Sequence, residues 1–296
     1  MLTNKIFILG AGAIGSYFGS QLSKVTDVTL IARKDHVDAI LKNGLQVSGE
    51  INETYRLHTS EELDYIPSNS AVIITTKTHD LEDALKSLSP YKHDLTIVLL
   101  QNGHGNEELV RSILGSETKV VRGLVNTGVN FLAPGKIEVV LSNPTVIEDS
   151  SAGRVLGSLF SSCGLKVNLS DDIRTEIWRK LALNCVINPL TALFRVPNRE
   201  VAVETLRGVI SDIVDECINV AAAEGVFLDQ GMAEYVYDLT AQYGNFSSMC
   251  QDIVKGKRTE IEFLNGRVSE LGRRYGISTP VNDTLSALVR YLEGQR

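Results

Sequence analysis

The stretch Lys5-Ile6-Phe7-Ile8-Leu9-Gly10-Ala11-Gly12-Ala13-Ile14-Gly15 decides how the first half of the chain is read. Its apolar run, Ile6 to Leu9, is the pattern of a short strand in a sheet covered on both faces. It leads directly into Gly-x-Gly-x-x-Gly, and a helical pattern continues to about Lys24. Such a glycine set is weak evidence alone; between a strand and a helix it is the fingerprint of a dinucleotide site. Gly10 permits the tight turn, Gly12 lets the backbone approach a pyrophosphate, and Gly15 lets helix and strand pack closely. The helix N-terminus then presents oriented N–H groups to the phosphates. Gly10, Gly12, Ala13, Ile14 and Gly15 are therefore the expected cofactor contacts. A purely structural glycine turn is the bland alternative, and the strand-to-helix setting weighs against it.

The same residues imitate a signal peptide, with Lys5 before an apolar run and Ala11-Gly12-Ala13 after it. The apolar run is too short, and glycines interrupt the segment after Leu9, so this reading is rejected. No segment approaches the ~20 apolar residues of a membrane span. Lys and Arg total 29 against 36 Asp and Glu, a net charge of −7, which disfavours an electrostatic grip on nucleic acid or anionic membrane. Cys163, Cys185, Cys217 and Cys250 are widely spaced and read as buried thiols of a reducing cytoplasm. His36, His58, His79, His93 and His104 show no zinc spacing, so no metal is expected.

Outward from the glycine loop, strand patterns at 28–32, 71–75, 96–100 and 120–125 alternate with helical ones at 81–88 and 107–114. That alternation predicts a mainly parallel sheet. Residues 137–141 and 145–147 read as an added antiparallel hairpin, 155–160 as a helix and 165–169 as a last strand. Beyond Ser170 the strand signal fades. Helices are expected at 173–193, 201–224, 231–243, 247–254, 260–275 and 282–292, the last opened by Ser278-Thr279-Pro280. The fold class is thus an α/β Rossmann-type N-terminal domain, 1–170, followed by an all-α C-terminal domain, 171–296, with a cleft between them as the default ligand site.

The second strand ends Leu30-Ile31-Ala32-Arg33-Lys34, without the Asp or Glu that usually accepts from the ribose hydroxyls of NAD or FAD. Arg33 suits a 2′-phosphate, with Lys34 adding charge, so NADP(H) is expected over NAD(H), and a flavin is disfavoured. An ordinary solvated basic pair is the alternative; cations near a helix N-terminus are unfavourable without an anion.

Lys180, Asn184 and Asn188 recur at four-residue spacing in a segment otherwise rich in Trp, Leu, Ala, Val, Ile and Cys. At 100° per residue they fall within an arc of about 80°. A solvated face would favour better helix formers than asparagine, so the stripe reads as ligand-facing. Partial desolvation disfavours a lysine's charged form and makes it a usable proton donor near neutrality. Ser248 and Asp252 share a face one turn apart, although Ser247 and Ser248 equally suit a helix cap. Composition alone does not single out Glu260.

These residues together resemble the ketopantoate reductase (2-dehydropantoate 2-reductase) family. The resemblance runs through residues 10–15, Arg33, Thr76-Lys77-Thr78, Gln101-Asn102-Gly103, residues 176–190, Pro197-Asn198, residues 247–252 and residues 259–266. It implies reduction of the C2 carbonyl of 2-dehydropantoate by NADPH, giving (R)-pantoate for pantothenate and coenzyme A synthesis. It further implies Lys180 as proton donor and Glu260 as the group holding that lysine and the substrate. Asn184, Asn188, Ser248 and Asn198 would bind substrate, Lys77 and Asn102 the cofactor, and Asn102 the substrate as well. Arg33 would take the 2′-phosphate. His104 is assigned no role. Two rivals stay open: a reductase of another branched or aromatic 2-oxo acid, and a non-catalytic NADPH-binding protein. The expected partner is a small 2-oxo acid, with no nucleic acid and no membrane, in a cytoplasmic protein for which a homodimer stays open.

Overall fold

The computed structural model describes residues 5–91 and 95–295, so His93 lies outside the described residues. The chain divides into two compact units, Met1–Gln101 with Gly105–Ile173, and Asn102–His104 with Arg174–Arg296.

In the first unit the order is β1 (Ile6–Leu9), α1 (Ala13–Leu22), β2 (Val28–Ile31), α2 (Lys34–Asn43), β3 (Leu45–Gly49), β4 (Glu53–Tyr55), β5 (His58–Ser60) and β6 (Ala71–Ile74). Next come α3 (Leu81–Leu88), β7 (Thr96–Leu99), α4 (Asn106–Leu114), β8 (Lys119–Leu124), β9 (Gly128–Ala133), β10 (Lys136–Leu141), β11 (Thr145–Glu148), α5 (Ser151–Ser162) and β12 (Val167–Ser170). Among the described residues an eight-stranded sheet runs β12-β11-β8-β7-β6-β1-β2-β5. From β8 to β5 every pairing is parallel. Every residue of β1, β2 and β6 is buried, which is why these strands are unbroken apolar runs rather than alternating ones. The chain moves from β1 outward through β2, then returns to β6 on the other side of β1. The carboxyl ends of β1 and β6 are therefore a topological switch point, where open α/β sheets bind ligands.

The expected hairpin of 137–141 with 145–147 is not formed. β10 instead pairs antiparallel with β9 and parallel with β3, in a separate sheet ordered β4-β3-β10-β9. β11 pairs antiparallel with β8 and parallel with β12 in the main sheet. The tight turn is at Pro134-Gly135, where Gly135 holds φ +75°, so the reversal precedes β10 instead of coming after it. The strand β9 supplies the partner that the sequence pattern did not reveal.

The second unit is built on α6 (Ile173–Phe194), α7 (Arg207–Ala223), α8 (Met232–Gln242), α9 (Ser248–Val254), α10 (Asn265–Tyr275) and α11 (Pro280–Gly294). Two expected helices are shorter than read. Residues 201–206 are not α-helical: 3₁₀ turns cover Asn198–Val201 and Glu204–Leu206, with Val203 extended between them. Glu260 precedes a 3₁₀ turn, Ile261–Phe263, and the backbone of Leu264 leaves the helical region before α10 begins. Pro280 sits at the start of α11, where its missing N–H is harmless. Trp178, Cys185, Val186, Cys217 and Leu264 belong to one continuous core. All four cysteines are buried free thiols, and burial pushes those of Cys163, Cys185 and Cys250 up, away from the reactive thiolate. Among the described residues no helix is long and apolar enough to cross a membrane.

Candidate active site

At the switch point the three glycines have different reasons to be glycine. Gly10 adopts φ +92°, and a Cβ there would lie 2.4 Å from Thr76 Cγ2. A Cβ at Gly15 would lie 2.4 Å from Thr75 Oγ1, and that hydroxyl donates to the Gly10 carbonyl at 3.0 Å. Gly12 is the exception: the nearest atom to a Cβ there is 4.0 Å away. The backbone there is therefore open to close approach by a group from outside the protein. Gly12 caps α1 without a side-chain hydrogen bond, and the first turn holds no acid. The leading N–H groups of a helix have no partner within it. The loop thus fits a pyrophosphate.

Arg33 is exposed and caps α2 with an extended backbone, at the end of β2. Lys34, read as a second contributor to a phosphate pocket, lies 3.2 Å from Asp38 and 3.7 Å from Glu61. Its charge is answered by the protein's own carboxylates, and Arg33 is the better-placed cation. His36, on the first turn of α2, is buried. Its Nδ1 accepts from the N–H of Gly135 at 2.9 Å, which leaves its Nε2–H to donate to Ser16 Oγ at 3.0 Å. Ser16 Oγ donates in turn to the Ala11 carbonyl at 3.3 Å. Burial lowers the His36 pKa, with Asp35 opposing weakly. A neutral histidine thus joins the glycine loop to the start of α2.

Lys77 comes just after β6 and is half-buried. Gln101, buried at the end of β7, donates from Nε2 to Thr76 O at 2.8 Å and shares that amide with Thr76 Oγ1 at 3.0 Å. It fixes the segment that carries Lys77. Asn102 and His104 group with the helical unit. There the His104 ring lies 5.1 Å from the Trp178 ring, and its Nε2 is 3.5 Å from Glu224 Oε2.

On α6, Lys180 and Asn184 are half-buried and Asn188 is 5% exposed, so the stripe deepens along the helix. Asn184 Nδ2 is buried and, among the described residues, has no hydrogen-bond partner. Ser247 caps α9 by accepting from Cys250 N at 3.0 Å, and its hydroxyl lies 2.7 Å from Thr191 Oγ1 on α6. The capping alternative therefore applies to Ser247, whereas Ser248 opens the helix with its side chain exposed. Asn198 is buried; its N–H donates to Asn245 O at 2.9 Å, and its Oδ1 is an unpartnered buried acceptor among the described residues. Glu260 is 7% exposed, between Thr259 and the 3₁₀ turn. The stripe, Ser248, Asn198 and Glu260 all lie in one unit. Gly10, Gly12, Ala13, Ile14, Gly15, Arg33 and Lys77 lie in the other.

Sequence reasoning gave no role to Gln101 or His36. Gln101 stood beside Asn102 in a recognisable motif, which was a usable signal. His36 offered none, because one of its partners is 99 residues away.

A doubly wound sheet with a phosphate-ready loop at its switch point defines a class, the dinucleotide-dependent oxidoreductases. Family models narrow it: "Ketopantoate reductase PanE/ApbA" matches residues 6–152, and its C-terminal counterpart matches residues 172–293. The chain belongs to the ketopantoate reductase family. It is 34% identical to a 2-dehydropantoate 2-reductase of Pyrococcus horikoshii, covering 98% of this chain and 97% of that one. It is also 34% identical to that of Archaeoglobus fulgidus, covering 99% of each. The fold is similar to the crystal structure of a PanE/ApbA family ketopantoate reductase from Ralstonia eutropha, with a TM-score of 0.91, 34% identity and coverage of 98% and 99%. It is also similar to the ternary complex of D-mandelate dehydrogenase with NADH and anilino(oxo)acetate, with a TM-score of 0.89, 29% identity and coverage of 98% and 99%.

Proposed function

We propose that the protein reduces 2-dehydropantoate to (R)-pantoate with NADPH. The observation that carries this reading is the line of Lys180, Asn184 and Asn188 on α6, running from half-buried to buried. The 34% identity to 2-dehydropantoate 2-reductases over nearly the whole chain supports it. When bound, the reduced nicotinamide supplies a hydride to C2 of the substrate. Gly10, Gly12, Ala13, Ile14 and Gly15 hold the pyrophosphate; Arg33 takes the 2′-phosphate, with Lys77 and Asn102 as further cofactor contacts.

As C2 gains hydride its oxygen gains negative charge, and Lys180 donates the proton that turns this oxygen into a hydroxyl. A donor placed at that oxygen acts where charge develops, so it lowers the barrier more than it tightens ground-state binding. Glu260 holds Lys180 and the polar end of the substrate. Asn184, Asn188, Asn198, Ser248 and Asn102 bind its hydroxyl and carboxylate groups. Amide and hydroxyl donors suit that task because they satisfy a carboxylate without adding a second titrating group. The reading carries a cytoplasmic location, where the cofactor is supplied; it leaves a homodimer open, and sedimentation measures that directly.

A second reading, reduction of an aromatic 2-oxo acid, is favoured by the likeness to D-mandelate dehydrogenase. NADPH oxidation at 340 nm with 2-dehydropantoate, 2-oxoisovalerate, pyruvate and phenylglyoxylate separates the two, with NADH as alternative cofactor. Preference for 2-dehydropantoate with NADPH is the expected result. Preference for phenylglyoxylate transfers the assignment to the second reading, and NADPH binding without turnover removes both.

A further inference from the structure

The helix α6 runs on through Pro189, which lies between Asn188 and the helix end. Proline has no N–H, so the carbonyl four residues earlier, that of Cys185, loses its helical partner. Cys185 is fully buried, and no water can reach that oxygen in exchange without a cavity. The structure supplies a side chain. Asn265 Nδ2, from the first residue of α10, donates to Cys185 O at 2.9 Å. The same NH₂ group donates to Asn282 Oδ1 at 2.9 Å. Asn282 Nδ2 donates to Glu216 Oε2 at 2.7 Å. The Glu216 carboxylate also accepts from the N–H of Val281 at 2.8 Å and of Asn282 at 2.9 Å, the first turn of α11.

The direction of this chain is fixed from its acidic end. A carboxylate only accepts, so Asn282 turns its NH₂ toward Glu216 and its carbonyl toward Asn265. Asn265 must then offer NH₂ to both Asn282 and Cys185, which uses both of its hydrogens. All three side chains are buried, with Asn265 and Asn282 at 0% exposure. Their amide orientations are set by this network and not by solvent. Cys185 stands between Asn184 and Asn188, and Asn265 ends the short segment that starts at Glu260.

We propose that Asn265, oriented by Asn282 and Glu216, is a positioning residue. It replaces the hydrogen bond that Pro189 withholds from Cys185, and so fixes the course of α6 between Asn184 and Asn188 and its distance from the Glu260 segment. This rests on the reading of Lys180, Asn184, Asn188 and Glu260 as the active residues. A misplacement of about 1 Å at such groups is enough to cost on the order of 100-fold in rate.

The test is a double-mutant cycle in the full-length protein. Asn265→Asp keeps the shape and removes both donors; Asn265→Ala removes the side chain without setting an acceptor against Cys185 O. Each is made alone and with Pro189→Ala, which returns an N–H to position 189. In the proline background, either change lowers kcat for 2-dehydropantoate about tenfold or more and raises the KM for that substrate. The KM for NADPH stays within about twofold. In the Pro189→Ala background the Asn265→Ala loss shrinks to about twofold, and the urea unfolding midpoints show the same coupling. Additive midpoints overturn the hydrogen-bond replacement, and that result is independent of any activity. Coupled midpoints with unchanged kcat overturn the positioning role and leave the network structural only. A wild type that reduces no 2-oxo acid removes the functional reading and the positioning role together, while the unfolding cycle still decides the replacement itself.

Discussion

His36 Nε2 and Ser16 Oγ lie 3.0 Å apart, and this contact ties the helix that receives Arg33 to the helix that opens the glycine loop. The link onward from His36 to Gly135 holds only while His36 is neutral, because a protonated Nδ1 can no longer accept from the Gly135 N–H. Burial holds the histidine pKa below its ordinary value near 6.5. The unfolded chain therefore binds a proton before the folded one does. Stability from this group is full above about pH 6.5 and is lost as pH falls from there through the folded pKa. Urea midpoints measured from pH 7.5 down to 5 should fall, and the KM for NADPH should rise over the same range. His36→Gln should flatten that part of the stability profile; an unchanged profile in the variant would remove His36 from the account.

Gly12 and Gly15 should respond in opposite ways to one added methyl group. Gly12→Ala places Cβ in open space, so the fold and its melting temperature should be close to wild type while the KM for NADPH rises at least tenfold. Gly15→Ala drives Cβ against Thr75 Oγ1 and the Gly10 carbonyl, and should cost about 1–3 kcal/mol of stability. Thermal melting alongside NADPH titration checks both. Equal affinity for NADPH in Gly12→Ala would show that the space serves something other than a phosphate.

Arg33→Ala should raise the KM for NADPH and leave that for NADH nearly unchanged. Charge-assisted hydrogen bonds contribute about 1.5–3 kcal/mol, which is about 10- to 150-fold in affinity. Lys34→Ala should do little, because Lys34 is already paired with Asp38 and Glu61. Similar losses with both nucleotides would assign Arg33 a role other than reading the 2′-phosphate.

Lys180→Ala should lower kcat by about 10²–10⁴, the range of a general acid, with a smaller change in the KM for NADPH. Lys180 is half-buried, so its loss leaves no large cavity and the melting temperature should move little. Steady-state kinetics over both substrates separates this outcome from a general loss of fold.

The parts of the fold legible in the sequence are those whose burial pattern is local. Ile6 to Leu9, Ala71 to Ile74 and Thr96 to Leu99 are strands because nearly every residue must be apolar, and that can be read without knowing the partner. Glu53 to Tyr55 and His58 to Ser60 have only three residues each, mostly half-exposed or exposed; the first pairs with the neighbouring β3 and the second with the more distant β2. Nothing in their composition separates them from loop. The misread hairpin has the same origin, since β10 is held by β3, whose sequence lies far before it. In the site, the stripe on α6 was visible from its spacing. The work of His36 and Asn265 was not, because each acts through a hydrogen bond to a residue distant in the chain, and for Gln101 the motif was visible but its bond to Thr76 was not.

The N–H of Gly135 reaches back to His36 across 99 residues, and β10 closes onto β3 over a comparable span. The glycine loop is synthesised well before the Pro134-Gly135 turn, and its histidine latch lacks its Gly135 partner until that turn has been made. A nascent chain that stops short of that turn carries the whole fingerprint and lacks the completed loop. The nucleotide site is thus finished only once the chain 99 residues beyond His36 has been made, a delay that contacts of long sequence separation impose on any folding chain.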